Sequence, residues 1–355
     1  MYEDKVTIYV PTFNRHAFLK RVLDYYADSG FQVLVTDDSE EPFPEIEAYP
    51  NLVYCQTGLP FAQSMVEPGV THLKTPYMVM CADDTLIPVA AIKESVAFLE
   101  ENPEYCVVQG YQSSMYYSGD SYYFKIESST APDYGSQSPS NRLLKFFSSQ
   151  HRLYWGVWRT DAWKEVYTSI PLEILNEPRT LNLESMIYFM TPMVGKLKRL
   201  PIFFALHEDV PSVAVARKRR RKDGFTHWDF ATKEMYRETF ELFVKQAAKL
   251  LLKYEALSVE EAETYARMAF MINGLHYRQQ KGRKTLVYRV KRELRSLWNK
   301  TLGRRAVMEK KQQQREARES LNKQRLEAMR PQCRAEMEKA AEFLFKYPRC
   351  KANDE

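Results

Sequence analysis

Two pairs of adjacent aspartates are the residues of this 355-residue chain with the clearest chemical potential. Asp37 and Asp38 follow the apolar run 31–35, and Asp83 and Asp84 follow the apolar run 77–81. Carboxylate oxygens suit hard cations such as Mn²⁺ or Mg²⁺, which proteins usually hold through one or two carboxylates together with substrate phosphates. A single pair could merely cap a helix or end a strand. Two pairs, each after a strand, indicate a divalent-cation and nucleotide site.

The segments around these acids alternate between strand and helix patterns. Apolar, β-branched runs predict strands at 6–10, 31–35, 52–55, 77–81, 106–108 and 202–206, and helical spacing of apolar residues predicts helices at 18–26 and 90–101. This alternation predicts an α/β fold with a mostly parallel sheet and flanking helices. Ligands of such sheets bind at the carboxyl ends of the strands, which both acidic pairs follow.

Three motifs in this order resemble family 2 glycosyltransferases, which have the GT-A fold. Residues 6–15 (VTIYVPTFNR) are similar to the opening strand, loop and helix of that family, 33–39 (VLVTDDS) to its second strand, and 77–88 (YMVMCADDTLIP) to its acidic motif. The resemblance covers roughly residues 5–210 of the chain. It implies transfer of a sugar, with inversion, from a nucleoside-diphosphate sugar, a UDP-sugar above all, to a hydroxyl of a glycan, lipid-linked or protein acceptor.

The resemblance also implies roles for individual residues. The first loop and the acidic pairs are expected to contact the donor nucleotide, through Pro11, Thr12, Asn14, Arg15, Asp37, Asp38 and Asp83. Mn²⁺ or Mg²⁺ is expected at Asp83 and Asp84, with His207 as a further ligand, although a single histidine at a strand end is as often structural. Cys81 departs from the family pattern, which has an acid two positions before Asp83.

An inverting transfer needs a general base that deprotonates the acceptor hydroxyl. The resemblance places this base at the head of a helix well after the acidic motif, which selects Glu184, with Glu177 as the alternative. A Glu that only favours the start of a helix is the other interpretation of Glu184. The cationic run 217–222 is expected to lie over the donor, where Arg217 and Arg219 would neutralise the departing nucleoside diphosphate. Such runs are also common on solvated surfaces.

Composition excludes several other classes of protein. Hydrophobic residues make up 45% and charged residues 27% of the chain, as in ordinary globular proteins. The five cysteines are scattered and never spaced as CxxC, which argues against a disulfide framework or a zinc site. No apolar run approaches the length of a membrane span and the first residues lack a signal-peptide pattern, so the sequence predicts a cytoplasmic protein.

The C-terminal third has a different character from the rest. We predict a glycosyltransferase domain over 1–215 and a basic helical region over 216–355, in which 278–311 contains thirteen Lys or Arg against two Glu. Residues 286–300 have the pattern of a basic amphipathic helix on an anionic membrane surface. Packing on the catalytic domain is the alternative. An apolar stripe over 326–344 suits docking or a homo-oligomer, and no module that binds nucleic acid is recognisable.

Two rival functions remain from the sequence. A non-catalytic protein that binds nucleotide sugars or glycans would explain the Cys81 departure and Ser185, which stands where the family usually has a second acid after Glu184. A nucleotidyltransferase would need a glycine-rich phosphate loop near the N-terminus. Residues 11–15 contain no glycine, which argues against that second rival.

Overall fold

The structure, a computed structural model, describes residues 2–59, 61–118, 121–126, 134–149, 155–171, 174, 183–208, 227–272, 274–275, 320, 324, 327 and 329–347. Strands and helices alternate in the first part of the chain: β1 (Val6–Thr12), α1 (His16–Tyr26), β2 (Gln32–Asp37), β3 (Leu52–Gln56), α2 (Phe61–His72), β4 (Tyr77–Met80), β5 (Thr85–Leu86), α3 (Val89–Glu101) and β6 (Tyr105–Ser118). The second part is mainly helical: β7 (Ser121–Ile126), α4 (Pro139–Ser149), β8 (Val157–Arg159), α5 (Thr160–Thr168), α6 (Leu183–Val194), β9 (Lys196–Glu208), α7 (His227–Thr232), α8 (Arg237–Tyr254), α9 (259–272) and α10 (Pro331–Lys346).

The strands form one mixed sheet in the order β3-β2-β1-β4-β8-β6-β9-β5, with β7 beside β6. The strands β1 to β4 pair in parallel, and so do β6 and β9, whereas β8 runs antiparallel between β4 and β6. The predicted α/β fold with a mostly parallel sheet and flanking helices is therefore confirmed. In the parallel register Thr12 lies opposite Asp37 and Asp37 opposite Gln56, so the carboxyl ends of β1, β2 and β3 share one edge.

Alternation of buried side chains along the strands creates two cores, one on each face of the sheet. On β1, Tyr9 belongs to the core that packs against α2, α4, α5, α6, α8 and α9. Ile8 and Val10 belong to the other core, which is covered by α1, α3 and α10. Because both faces are buried, β1, β2 and β4 are almost continuously apolar, as expected for parallel strands.

The helices that follow residue 226 belong to these same two cores. Phe243 of α8 and Phe270 of α9 pack against Phe189 of α6. The helix α10 buries Met337 and Leu344 in the opposite core, against β9. The apolar stripe of α10 is thus covered within the chain. The predicted boundary near residue 215 falls within 209–226, outside the described residues, and the domain division stays a prediction.

The described helices include none that is long and apolar enough to cross a membrane. The basic amphipathic segment predicted at 286–300 lies outside the described residues. Its association with a membrane surface therefore stays a prediction.

Candidate functional site

Arg15 and the second acidic pair meet at the carboxyl ends of β1 and β4. The Arg15 guanidinium lies 2.7 Å from Asp83 Oδ1 and 3.4 Å from Asp84 Oδ2. Its position follows from the preceding turn, because Asn14 adopts a left-handed conformation with φ of 51° that sends the chain into α1. The structure therefore brings Arg15, a predicted donor-binding residue, together with Asp83 and Asp84, two of the three predicted metal ligands.

Two threonines hold the remaining oxygens of these aspartates. Thr12 Oγ1 donates to Asp83 Oδ2 at 2.9 Å, and Thr85 Oγ1 lies 3.2 Å from Asp84 Oδ1. The Asp83 side chain is only 4% exposed. Burial raises the pKa of Asp83, whereas the charge of Arg15 and the hydrogen bond from Thr12 act in the opposite direction. The acidic pair is thus held in place by β1 and by its own loop.

His207 reaches the acidic pair because β5 pairs with the end of β9. The register places Thr85 opposite His207, and the Thr85 hydroxyl lies 2.7 Å from His207 Nδ1. On the other side of the ring, His207 Nε2 lies 3.2 Å from Gln112 Oε1 of β6. The Trp155 ring lies beside the imidazole, with the centroids 6.1 Å apart. Both ring nitrogens of His207 therefore have partners, and Thr85 connects the imidazole to Asp84.

The two aspartates of the first acidic pair differ in their surroundings. Asp37 is fully buried. Its Oδ1 accepts bonds from the backbone N–H and the hydroxyl of Ser39, and its Oδ2 accepts one from Tyr54 at 2.6 Å and contacts His16 Nε2 at 3.0 Å. Four contacts match the about four acceptor directions that a carboxylate has. Asp37 therefore ties β2 to β3, to α1 and to its own loop.

Asp38 is partly exposed and has fewer contacts. The Thr57 hydroxyl donates to Asp38 Oδ1 at 2.5 Å, and the Ser64 hydroxyl donates to Asp38 Oδ2 at 2.8 Å. These bonds fix the side chain between the end of β3 and the beginning of α2. Of the two aspartates, Asp38 is the one whose carboxylate a ligand can approach without breaking the contacts that link the strands.

Cys81 stands at the position where family 2 glycosyltransferases usually have an acidic residue. Its side chain is fully buried, and its Sγ–H donates to the backbone oxygen of Thr85 at 3.1 Å. Burial raises the pKa of the Cys81 thiol to about 12, so the thiol stays protonated at neutral pH. Cys81 thus stabilises the acidic loop and offers no anionic ligand.

The other predicted site residues are placed as follows. Pro11 lies within β1 opposite Thr36, and the Asn14 backbone N–H donates to Ser39 Oγ at 2.7 Å. Glu184 is the second residue of α6, and its side chain lies outside the described part of the chain. The alternative base Glu177, and also Arg217 and Arg219, fall outside the described residues. The roles predicted for these residues stay predictions.

The sequence did not reveal a buried ion pair behind the acidic loop. Arg21 of α1 donates to Glu208 Oε2 at 2.6 Å, and the Tyr117 hydroxyl donates to Glu208 Oε1 at 2.6 Å. The backbone N–H of Glu208 also donates to the backbone oxygen of Asp84 at 2.9 Å. Glu208 thereby joins α1, β6 and β9 to the acidic pair. The only sequence signal for this ion pair was a charged residue directly after His207. Its partner Arg21 is 187 positions away, so no local pattern could connect the two residues.

The residues around the acidic pair have the right chemistry for a divalent cation but are already engaged. Within the described part of the chain, no group of three or more His, Cys, Asp or Glu is arranged to hold a metal ion. Asp83 and Asp84 offer the carboxylate oxygens that Mn²⁺ and Mg²⁺ prefer, and His207 adds an imidazole. The two oxygens left over by Thr12 and Thr85 are those that contact Arg15. Arg15 thus occupies the carboxylate oxygens that a cation at this pair would need.

Solved structures with a similar backbone fold include S. aureus TarS 1-349. It is 16% identical, with a TM-score of 0.45, and the match covers 78% of this chain and 92% of the TarS chain. TarS 1-349 in complex with UDP-GlcNAc gives 15% identity, a TM-score of 0.44 and the same coverage. The mannosyltransferase PcManGT from Pyrobaculum calidifontis, in complex with GDP-Man and Mn²⁺, gives 15% identity and a TM-score of 0.36 over 75% of this chain and 73% of that one. No family model and no curated protein matches the sequence. The chemistry of the site therefore rests on the contacts described above.

Proposed function

We propose that this chain is a glycosyltransferase that uses a nucleoside-diphosphate sugar, most simply a UDP-sugar, and transfers the sugar to a hydroxyl acceptor with inversion. One observation carries the proposal: both acidic pairs, Arg15 and His207 lie at the same carboxyl edge of an α/β sheet. Such an edge is where open α/β sheets bind nucleotides. The motifs that resemble family 2 glycosyltransferases contain both acidic pairs and Arg15, and the resemblance adds His207 as a further metal ligand.

In this proposal Asp37 and Asp38 have different roles. Asp38 accepts hydrogen bonds from the nucleoside, because its carboxylate is partly exposed and held in position by Thr57 and Ser64. Asp37 acts as the support that keeps β2, β3 and α1 together. Pro11, Thr12 and Asn14 form the floor and the turn beside the nucleotide.

The second acidic pair, with His207, would hold Mn²⁺ or Mg²⁺ against the diphosphate. Such a cation neutralises the negative charge that develops on the leaving nucleoside diphosphate. The Thr85 hydroxyl lies 3.2 Å from Asp84 Oδ1 and 2.7 Å from His207 Nδ1, and so holds the carboxylate and the imidazole next to each other. Glu184, at the start of α6, would act as the general base. It would remove the proton of the acceptor hydroxyl as the acceptor oxygen attacks the sugar.

A panel of UDP- and GDP-sugars, each with and without Mn²⁺, tests the proposal by thermal shift and by release of the nucleoside diphosphate. We expect one donor to raise the melting temperature and to be slowly hydrolysed. The variant Asp38→Asn should lose this response. The matched variant Asp28→Asn should keep it, since Asp28 is exposed on the loop between α1 and β2. No response of the unmodified chain to any donor would contradict the proposal.

A non-catalytic protein that binds nucleotide sugars or glycans is the second candidate. The protonated, fully buried Cys81 favours it, because this residue removes one of the acids expected near the cation. The two functions differ in turnover: a binding protein would be stabilised by a donor and would neither hydrolyse it nor transfer the sugar.

A further inference from the structure

The Arg15 side chain occupies the two carboxylate oxygens of the acidic pair that no other described side chain holds. Thr12 holds Asp83 Oδ2 and Thr85 holds Asp84 Oδ1. Asp83 Oδ1 and Asp84 Oδ2 remain, and these two face the Arg15 guanidinium at 2.7 Å and 3.4 Å. A divalent cation that bridges the pair would use the same two oxygens.

Arg15 therefore neutralises negative charge at the acidic pair. The side chains of Asp83 and Asp84 are only 4% and 16% exposed. Buried carboxylates need a compensating charge, and the guanidinium provides it. A guanidinium and a divalent cation cannot both remain against these oxygens, because two cations a few ångströms apart repel each other strongly in a poorly solvated site.

The turn that carries Arg15 is suited to releasing it. Phe13 is 55% exposed and Asn14 is exposed, so the turn before Arg15 lies at the surface. Arg15 is the N-cap residue of α1, and its side chain makes no capping bond to the helix. Its Cζ atom lies 4.3 Å from the centre of the Phe18 ring, which supports the guanidinium from one side. The acidic pair and the Phe18 ring thus contact the guanidinium, and the start of α1 does not use it as a cap.

Resting on the proposed function, we propose that Arg15 is a resident counter-ion that exchanges with the divalent cation when the nucleotide binds. As the cation takes Asp83 Oδ1 and Asp84 Oδ2, the guanidinium turns to the diphosphate, whose oxygens it can bind with two parallel hydrogen bonds. Bare cations bind weakly, because they must displace Arg15 while no phosphate receives it. The cation and the nucleotide consequently bind with positive cooperativity, and each raises the affinity for the other by the same factor.

Isothermal titration with MnCl₂ alone tests the exchange on the full chain. The variants Arg15→Met and Arg15→Gln should bind Mn²⁺ at least about tenfold more tightly than the unmodified chain, because the competing charge is gone. In the unmodified chain, saturating UDP should raise the Mn²⁺ affinity. In both variants that gain should shrink, since the phosphate loses its guanidinium partner.

The matched control is Lys20→Met, which removes a positive charge from α1, the helix that follows Arg15. Lys20 pairs with Glu45 at 2.5 Å and does not contact the acidic pair, so this variant should bind Mn²⁺ as the unmodified chain does. Two Arg15 variants are used so that a folded one is available, and circular dichroism shows which is folded. A folded Arg15 variant that binds Mn²⁺ no more tightly than the unmodified chain would overturn the exchange.

The titration with MnCl₂ alone separates this inference from the proposed function. If the unmodified chain binds neither UDP nor a nucleotide sugar, the proposed function fails. The comparison of Mn²⁺ affinities between Arg15→Met and the unmodified chain still decides whether Arg15 excludes the cation. If UDP binds but Mn²⁺ affinity is the same in all variants, the exchange fails and the proposed function stands.

Discussion

Neutralising Glu208 should destabilise the fold strongly, because its partner would be left as a buried, uncompensated charge. The side chains of Arg21 and Glu208 are only 3% and 4% exposed, and their atoms lie 2.6 Å apart. Breaking a buried ion pair by changing one partner costs about 3–5 kcal/mol. We expect Glu208→Gln to lower the free energy of unfolding by about that amount in urea denaturation.

Two further variants test whether the loss of stability comes from the buried charge. The variant Glu241→Gln breaks a half-exposed pair with Arg267 and should cost less than about 1 kcal/mol. Replacing both buried partners, in Arg21→Met with Glu208→Leu, should recover most of the lost stability, because a well-packed apolar pair needs no compensating charge. If Glu208→Gln costs no more than Glu241→Gln, the pair does not support the acidic loop as argued.

Three further predictions concern other parts of the chain. Gly110→Ala should lower the free energy of unfolding by about 1–3 kcal/mol in urea, because the added Cβ would overlap the backbone oxygen of Ile202 on β9. Glu184→Gln should keep donor affinity in calorimetry and lose sugar transfer, since only proton abstraction is removed; retained transfer would exclude Glu184 as the base. Replacing the Lys and Arg residues within 286–300 by Gln should reduce sedimentation with anionic vesicles at low salt, each cation contributing about 1 kcal/mol. Unchanged sedimentation would contradict the membrane interpretation. This design is preferable to deleting the chain from 278 onward, because α10 closes one core.

Local signals in the sequence were sufficient for the strands that carry the site. The strands β1, β2 and β4 are short apolar runs that occur where predicted, although β1 continues through Pro11 to Thr12. Ser258 and Glu261 have the spacing of a capping box, and the box forms: the Ser258 backbone N–H donates to the Glu261 carboxylate at 2.8 Å, and the Glu261 N–H donates to the Ser258 hydroxyl at 3.2 Å. These features depend on neighbours in sequence, which is why pattern alone reveals them.

Features that depend on distant contacts could not be predicted. The helix α2 contains Pro68 and Gly69, two residues that argue against a helix interior. Gly69 is explained only by the fold, because a Cβ there would overlap the Trp163 ring of α5. The strand β9 likewise continues through Pro201 and is longer at both ends than the predicted 202–206. Tertiary packing overrides local preference at these positions.

The two arginines of the site differ in how firmly they are held, and this difference follows from their places near Phe18. The Cζ atoms of Arg15 and Arg21 lie 4.3 Å and 4.4 Å from the centre of the same Phe18 ring. Arg21 lies inside α1 and pairs with Glu208, which also accepts a bond from Tyr117, so moving it would leave a buried carboxylate without its counter-ion. Arg15 precedes the helix on an exposed turn, and its carboxylate partners would gain a divalent cation when it leaves. Arg21 thus fixes the frame of the site, whereas in the proposed exchange Arg15 turns to the phosphates.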